Sequence, residues 1–399
     1  MKTKRTPALS TLNYTLINVM YFAAYCGVHA YTSVFLLGRG FSNTSIGIIL
    51  ALSNIFSVIL QPAVAGYIDK YKKLTNRLVS MCCAAIMILL CISLYFVRGK
   101  AVIFVLYALV YTIQMVYQPL IMAMSFEYNS AGDKINFGLA RGLGSCGFAV
   151  TSVIVGNILV NSDVSVLQII NIISLIVGIF ALLIFTKPEN DENEDSEVQF
   201  ETSALDNGRN NLIGFIKYYP GFMLFVLAGT CMFFAHNALN DYIYQIITPI
   251  GGNERIMGYM VMMAAFLELP TMALFSRVEK KVGCKNLLML SGVMFAVKAL
   301  IMLLARSIFV AFFSQACQML AYAMFIPGSA YFAEMMMEES DKTKGQAYVN
   351  CAITLGGVFS SLVCGRLLDV AGVSTMLLVA TIVGAIGAFI AFVSLKKCK

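Results

Sequence analysis

Long apolar stretches, separated by short polar ones, make up almost the whole chain. Twelve of them are long enough for a helix to cross about 30 Å of hydrocarbon, which takes about 20 residues. We call them spans 1 to 12, and they cover residues 11–37, 43–68, 76–97, 100–126, 136–161, 164–186, 216–247, 256–276, 286–305, 307–333, 345–368 and 373–395. The pattern predicts an all-α integral membrane protein with twelve transmembrane helices.

One acidic, polar stretch divides the spans into two sets of six. It runs over 187–213 and contains few large apolar side chains, so it cannot bury enough surface to fold alone. We therefore predict an N-terminal six-helix half over 1–186, an acidic linker over 187–213 and a C-terminal six-helix half over 214–399.

The two halves repeat each other in sequence. Gly147 and Gly156 in span 5 have the same spacing as Gly356 and Gly365 in span 11, and span 2 is similar to span 8. Transporters built from two repeats of six helices bind their substrate between the halves, near the middle of the membrane. The repeat predicts two pseudo-symmetric halves with a site between them.

Composition and charge agree with a membrane protein and predict its orientation. The chain is 59% hydrophobic and 12% charged, whereas soluble domains average about 45–50% and about 25%. Basic residues collect at one set of span ends, and the opposite ends hold only Arg39, Arg98, Lys100, Arg255, Arg306 and Arg366. By the positive-inside rule, both termini and the linker are cytoplasmic, in a multi-pass protein of the cell inner membrane. The net charge of +7 then reflects topology, and we expect no nucleic-acid partner.

The sequence shows no pattern typical of an enzyme or a metal site. The 11 cysteines are scattered through apolar segments, and we find no His-x-x-x-His pair and no nucleophile–base set. We expect no catalytic residue, no metal and no cofactor. We expect the protein to be a monomer and its partners to be the lipid bilayer, a small polar substrate and a proton.

A single arginine, Arg141, lies among glycines and apolar residues in span 5. A charge in the middle of a membrane costs about 3 kcal/mol by insertion scales, so it needs a partner. A guanidinium donates to hydroxyls or carboxylates through a planar fork, and Arg141 shares a helix face with Ser145 and Phe148. These residues predict a substrate-binding face. The alternative is a structural ion pair between Arg141 and Glu127.

Polar side chains form stripes along five spans. They are Asn18, Tyr25, His29 and Thr32 in span 1; Asn54, Ser57 and Gln61 in span 2; Gln114, Tyr117 and Gln118 in span 4; His236, Asn237, Asn240, Asp241 and Tyr244 in span 7; and Gln315, Gln318 and Tyr322 in span 10. Polar groups in hydrocarbon must be paired or face water, so the five stripes together predict a shared aqueous cavity, although each alone could join neighbouring helices. Amides and tyrosines suit a polyhydroxylated, mostly neutral ligand, contacted by Tyr25, His29, Asn237, Asn240 and Gln318.

Glu268 in span 8 is the predicted proton carrier, and Asp241 is the second candidate. Glu268 lies two residues before Pro270, where the helical hydrogen-bond ladder is interrupted and water can enter. Lys298 in the next span supplies a neighbouring positive charge that substrate binding could alter.

Four stretches resemble a known family of transporters. They are IGIILALSNIFSVILQPAVAGYIDK, FGLARGLGSCGFAVTSVIVG, MGYMVMMAAFLELP and VGCKNLLMLSG. They resemble the lactose-permease type of the major facilitator superfamily, the oligosaccharide and nucleoside proton symporters. The resemblance covers nearly the whole chain and implies the major facilitator fold, in which a central site is exposed to each side of the membrane in turn.

The resemblance also implies roles for individual residues. Arg141 falls on the family's sugar-binding arginine, Phe148 on the aromatic residue that stacks against a sugar ring, and Lys298 on an arginine of span 9. These three residues are therefore implied substrate contacts.

A charged loop motif of the family is partly kept between spans 2 and 3. Asp69 and Lys70 retain its charged part, and Glu279 is the implied second copy after span 8. The resemblance implies a structural latch between helices that does not touch the substrate.

Other family positions are displaced. Ala123 stands where the family has its span 4 glutamate, and Glu127 follows one turn later. We expect Glu127 to contact the substrate. The span 8 glutamate aligns with Ala265, three residues before Glu268. The histidine and glutamate that serve proton coupling in span 10 align with Gln318 and Ala321.

These features predict a secondary active transporter that takes up a sugar, oligosaccharide or glycoside by proton-coupled symport. The alternatives are symport of a nucleoside or another small polar metabolite, and drug efflux. Efflux is disfavoured because span 5 contains no proline, whereas drug antiporters of the superfamily typically carry a Gly-Pro motif there.

Overall fold

The computed structural model describes residues 7–71, 73–130, 135–186 and 212–397. All regular elements in these residues are helices. Eleven helices are long and apolar enough to cross a membrane, and a bent helix pair at the N-terminus brings the total to twelve. Most of the predicted linker, 187–211, lies outside the described residues, and its last two positions already belong to the helix Leu212–Tyr218.

Nine spans are single helices within or close to the predicted bounds. They are Asn43–Lys70 (span 2), Asn76–Phe96 (3), Lys100–Ser130 (4), Phe137–Leu159 (5), Val166–Ile184 (6), Glu254–Val282 (8), Cys284–Leu304 (9), Lys342–Val370 (11) and Gly372–Lys397 (12). Several begin at a short polar residue whose side chain accepts a hydrogen bond from a backbone N–H of the first turn, as Ser42 and Asn253 do.

The other three spans are broken, which the apolar pattern alone does not predict. Span 1 consists of Pro7–Tyr25, a π-helical turn at Cys26–Ala30 and Thr32–Gly38, with a bend of 51°. Span 7 consists of Pro220–Asp241 and Ile243–Ile247. Span 10 consists of Ile308–Ala316, a 3₁₀ turn at Cys317–Met319 and Tyr322–Met336. Irregular backbone inside a membrane is tolerated where it lies within protein or lines a water-filled cavity, and each break contains or adjoins predicted site residues.

The two halves have the same internal packing. Counted within each half, the first span packs against the fifth and sixth, the third against the sixth, and the fourth against the second and third. The halves meet where span 2 packs against span 11 and where span 5 packs against span 8. This arrangement confirms the predicted all-α fold of two pseudo-symmetric six-helix halves.

At the first of these contacts, the backbones of spans 2 and 11 nearly touch. A Cβ atom on Gly47 would lie 2.0 Å from the carbonyl oxygen of Ser361, and one on Gly365 would lie 2.5 Å from that of Asn43. Only glycine allows this approach. The Tyr242 hydroxyl donates to the same Ser361 carbonyl at 2.8 Å.

The second contact, between spans 5 and 8, repeats the first. A Cβ atom on Gly258 would lie 2.4 Å from the carbonyl oxygen of Ser152, and one on Gly156 would lie 2.5 Å from that of Glu254. The Tyr31 hydroxyl donates to the Ser152 carbonyl at 2.6 Å. We call the region of these two contacts the closed end.

An acidic residue adds hydrogen bonds between the halves at the closed end. The Asp369 carboxylate, at the end of span 11, accepts from the backbone N–H groups of Asn43 and Thr44 at 3.1 and 2.7 Å. It also accepts from their side chains at 2.9 and 2.6 Å. Asp369 thus caps span 2 of the other half.

The opposite end is open. Span 2 is largely buried between residues 46 and 53, but none of its positions from 58 to 70 is buried. Among the described residues, every hydrogen bond between the halves lies at or beside the closed end. The halves therefore enclose a cleft that is shut at one end and accessible from the other.

Candidate functional site

Side chains from both halves meet in the cleft. Tyr25, Arg141, Phe148 and Glu268 are all half-buried although they lie well inside spans 1, 5 and 8. Arg141 and Glu268 are close enough for their charges to interact, and the neutral Tyr322 side chain of span 10 lies near both. These residues define the candidate site.

Arg141 is held by its own half. Its Nη1 donates to the Ser145 hydroxyl at 3.0 Å, which confirms that the two share a helix face. Its guanidinium carbon lies 4.1 Å from the centre of the Phe22 ring, a cation–π contact. Among the described residues, no carboxylate lies within ion-pair distance of Arg141, so the structural pair with Glu127 is not formed.

Aromatic rings surround the arginine on the side of span 1. The rings of Tyr25 and His29 are stacked, with centroids 3.9 Å apart, and the ring of Tyr111 is tilted against that of His29 with centroids 3.8 Å apart. Phe148 lies 6.0 Å from Tyr25. His29 Nε2 is buried and has no hydrogen-bond partner in the part of the chain that the structure describes. The N-terminal half therefore offers ring faces and one cation.

The C-terminal half offers a chain of hydrogen bonds instead. Lys298, only 1% exposed, donates from Nζ to Gln318 Oε1 at 2.5 Å, and Gln318 Nε2 donates to Glu268 Oε1 at 2.5 Å. The break in span 10 places Gln318 between these two charged groups. One amide thus joins a buried cation to a carboxylate of the opposite charge.

A second polar group adjoins this chain on span 7. Asn240 accepts from Lys298 Nζ at 3.4 Å, and its Nδ2 lies 2.8 Å from His236 Nε2. His236 stacks on Tyr322, with centroids 4.8 Å apart. Asn237, by contrast, donates to the Phe233 carbonyl of its own helix at 2.9 Å.

The two remaining predicted acids are not part of this hydrogen-bonded cluster, although Asp241 lies near Tyr25. Glu127 accepts from Asn76 Nδ2, in the first turn of span 3, at 3.2 Å. Asp241 ends the long helix of span 7 beside the closed end, where its backbone carbonyl accepts a hydrogen bond from Ser33.

The predicted latch residues lie near the open end. Asp69 and Lys70 are exposed, and Glu279 is half-buried. Within the described ranges, none of the three forms an ion pair or hydrogen bond between helices. The implied latch is not formed in this arrangement of the halves.

Comparison with known proteins identifies the family. The model of the MFS_1 like family matches residues 11–379, nearly the whole chain. The chain belongs to this family. A search of curated proteins by sequence finds no match.

Solved structures show the same fold as this MFS_1 like chain at low sequence identity. A point mutant of the nucleoside transporter NupG has a TM-score of 0.76 and 17% identity, with 98% of this chain and 100% of that chain covered. A bacterial homologue of the human lysosomal transporter Spinster, inward-facing and unoccupied, has a TM-score of 0.71 and 11% identity, covering 99% and 98%. A bacterial homologue of the iron transporter ferroportin, inward-facing, has a TM-score of 0.72 and 9% identity, covering 98% and 100%. The family and these neighbours confirm a major facilitator transporter.

Some predicted stripe residues turn out to join helices. Gln61 donates to the Met115 carbonyl at 3.0 Å, and Gln114 donates to the Tyr21 carbonyl at 3.4 Å. Within the described residues, no group of three or more His, Cys, Asp or Glu side chains could hold a metal ion.

Sequence reasoning missed the residues of the closed end. Tyr31 and Tyr242 have matching bonds in the two halves, and Asp369 caps span 2. The repeated glycine spacing was the signal that could have pointed to this region. Tyr111, whose ring contacts that of His29, was also missed, because it precedes the predicted polar stripe of span 4, which begins at Gln114.

Proposed function

We propose that this protein is a proton-coupled symporter that takes up a small polyhydroxylated substrate, a sugar, oligosaccharide or glycoside, by alternating access. The observation that carries the proposal is that Arg141 and the Lys298–Gln318–Glu268 chain face one cleft from opposite halves. Because both walls come from one chain, a monomer suffices.

The predicted orientation relates the open end of the cleft to the two sides of the membrane. The predicted orientation puts the linker and both termini in the cytoplasm, so the closed end faces outwards and the structure is inward-facing. This is the conformation from which an uptake symporter releases its substrate and its proton.

The chemistry divides between the two walls. Arg141 has N–H donors for substrate oxygens, and Phe148 and Tyr25 offer ring faces for a sugar. Glu268 is a carboxylate within an otherwise apolar membrane span, and it can exchange a proton with water in the open cleft. Neutralising Glu268 removes the negative charge that Lys298 faces through Gln318. Protonation therefore weakens the electrostatic interaction along the Lys298–Gln318–Glu268 hydrogen bonds.

A nucleoside is the second candidate substrate. The solved structure of the nucleoside transporter NupG, at a TM-score of 0.74, favours it, and the stacked rings of Tyr25 and His29 lie where a base could be received. A screen of purified protein by thermal shift against sugars, glycosides and nucleosides separates the two candidates.

The test of proton coupling is the variant Glu268→Gln in proteoliposomes. Glutamine resembles the permanently protonated carboxyl, so binding and exchange of substrate across the membrane should persist. Accumulation against a gradient should fall to background, because release of the proton resets the cycle. Asp241→Asn is the matched control and should still accumulate substrate. If the phenotypes are reversed, the proton carrier is in span 7. Loss of binding in Glu268→Gln would make Glu268 a substrate contact only.

A further inference from the structure

We infer that the substrate carries one negative charge, a carboxylate beside its hydroxyl groups as in a uronic acid, and that this carboxylate pairs with Arg141. The inference rests on the proposed function and narrows its substrate class. It departs from the mostly neutral ligand that the polar stripes suggest.

Most N–H donors of Arg141 have no partner among the described side chains. A guanidinium has five N–H donors, and only one bond from Arg141 reaches a described side chain, that of Ser145. The Phe22 ring covers one face of the guanidinium and leaves its edge, where the N–H groups lie, available. Two parallel N–H···O bonds to a carboxylate fit this edge.

The three acidic residues predicted for the site have other partners or other positions in the described structure. Glu268 accepts from Gln318 and faces Lys298 through it, so this carboxylate already balances a cation of its own half. Glu127 is bound to Asn76, and Asp241 lies beside the closed end. The charge of Arg141 is close enough to interact with that of Glu268, but no carboxylate among the described residues lies within ion-pair distance of the guanidinium.

Closure of the cleft makes a cation without an ion-pair partner costly. In the open cleft, Arg141 is half-buried and water can solvate its charge. Alternating access requires a state in which both ends are closed and most of that water is gone, and a desolvated cation needs an anion. A carboxylate on the substrate supplies that anion when the cleft closes.

The inference has an electrical consequence. One substrate anion and one proton that cross together carry no net charge. Uptake should therefore respond to a pH gradient and not to membrane potential, whereas symport of a neutral substrate with one proton moves one positive charge.

The experiment compares matched pairs that differ at one carbon. D-Glucuronate and D-glucose differ only by a carboxylate in place of a hydroxymethyl group, and uridine 5′-carboxylate and uridine form the second pair. In wild type, the acid of at least one pair should bind about tenfold more tightly than its neutral partner. Arg141→Gln should abolish this preference, and Arg141→Lys should keep part of it, because lysine retains the charge but not the fork. Arg366→Gln, which removes an exposed cation from the end of span 11, is the control and should change nothing.

The outcomes separate the two proposals. Tighter binding of the neutral member in each pair that binds overturns the anionic substrate but leaves the symporter proposal standing. A preference for the acid that survives in Arg141→Gln also overturns the inference, since the charge is then recognised elsewhere. If an imposed potassium diffusion potential doubles or halves the uptake of the acid, electroneutral symport of the acid with one proton is contradicted. If no member of either pair binds, the inference fails, and the symporter proposal fails with it only if the thermal-shift screen of sugars, glycosides and nucleosides also finds no ligand.

Discussion

Tyr31 and Tyr242 occupy matching places in the two halves. Each follows a break in the first span of its half, is fully buried, and donates to a backbone carbonyl of the fifth span of that half, at 2.6 Å to Ser152 and 2.8 Å to Ser361. Each of these carbonyls also lies against a glycine of the opposite half. At the closed end, the halves are nearly interchangeable.

The walls of the cleft are not interchangeable. The N-terminal wall has one cation against a phenylalanine ring and a stack of aromatic rings, whereas the C-terminal wall has the Lys298–Gln318–Glu268 chain. At the closed end, each half must fit closely against the other, so the shape of both surfaces is constrained. The two halves therefore remain similar to each other in that region. Binding and coupling need different groups, so the repeat has diverged where the chemistry is.

The largest effect expected from breaking the symmetric part is that of Gly47→Leu. The new side chain meets the Ser361 backbone at 2.0 Å, which a change of rotamer cannot relieve. Overpacking costs up to about 3 kcal/mol, so the closed population and net uptake should fall about 100-fold. The distance between spin labels at Ser162 and Val370, both exposed at the closed end and one in each half, should increase.

Gly66→Leu is the control for this variant. Gly66 lies in the same span, and a Cβ atom there meets nothing within 4 Å. Leucine favours a helix over glycine, so this variant should keep both its uptake and its label distances. Equal losses of uptake in the two variants would show that bulk anywhere in span 2 is harmful, and the close approach at Gly47 would lose its significance.

A smaller effect is expected from Asp369→Asn. This change tests the hydrogen bonds of Asp369, which are present at the contact of spans 2 and 11 and have no equivalent at the contact of spans 5 and 8 among the described residues. The amide nitrogen cannot accept from Thr44, so two of the four hydrogen bonds that Asp369 accepts across the closed end are lost. Because the site is exposed, we expect about 1 kcal/mol, or about a fivefold shift away from the closed form. The same spin-label pair measures it.

Asp163→Asn is the matched control on the same side of the protein. Its carboxylate accepts from the Ser165 N–H at 2.8 Å, within the loop between spans 5 and 6. Hydrogen bonds from Ser165 hold the pKa of this carboxyl below its ordinary value, yet none of them crosses to the other half. An opening in Asp163→Asn as large as that in Asp369→Asn would assign the effect to surface charge and not to the cap on span 2.

The spans and their two-fold arrangement could be predicted because they depend on local properties. Apolar length defines a membrane helix, and the repeated glycine spacing reveals the halves without any tertiary information. Arg141 could be singled out in the same way, because its cost in a membrane follows from its identity alone.

The partners of polar side chains could not be predicted, because they are set by helices far away in sequence. Glu127 lies beside Asn76, which is 51 positions away, and the Gln318 amide lies between Lys298 and Glu268 only because span 10 is broken there. The hydrogen-bond partners of the polar stripes in spans 2 and 4 could not be predicted for the same reason. A glutamine on a polar stripe faces a cavity or a neighbouring backbone with equal plausibility until the packing is known.

The smallest effects are expected from Tyr31→Phe and Tyr242→Phe, which sharpen the comparison of the two halves. Each change removes one buried hydrogen bond, worth about 1 kcal/mol, and leaves the ring in place. Both bonds lie within one half and so hold each tyrosine to its own half without tying the halves together. We therefore expect equal losses of thermal stability in detergent, with the label distances across the closed end almost unchanged. If one variant opens the closed end and the other does not, the tyrosines act differently despite their matching geometry. The two halves would then match at the closed end in backbone shape only. Their side chains would differ in function there, as they do along the walls of the cleft.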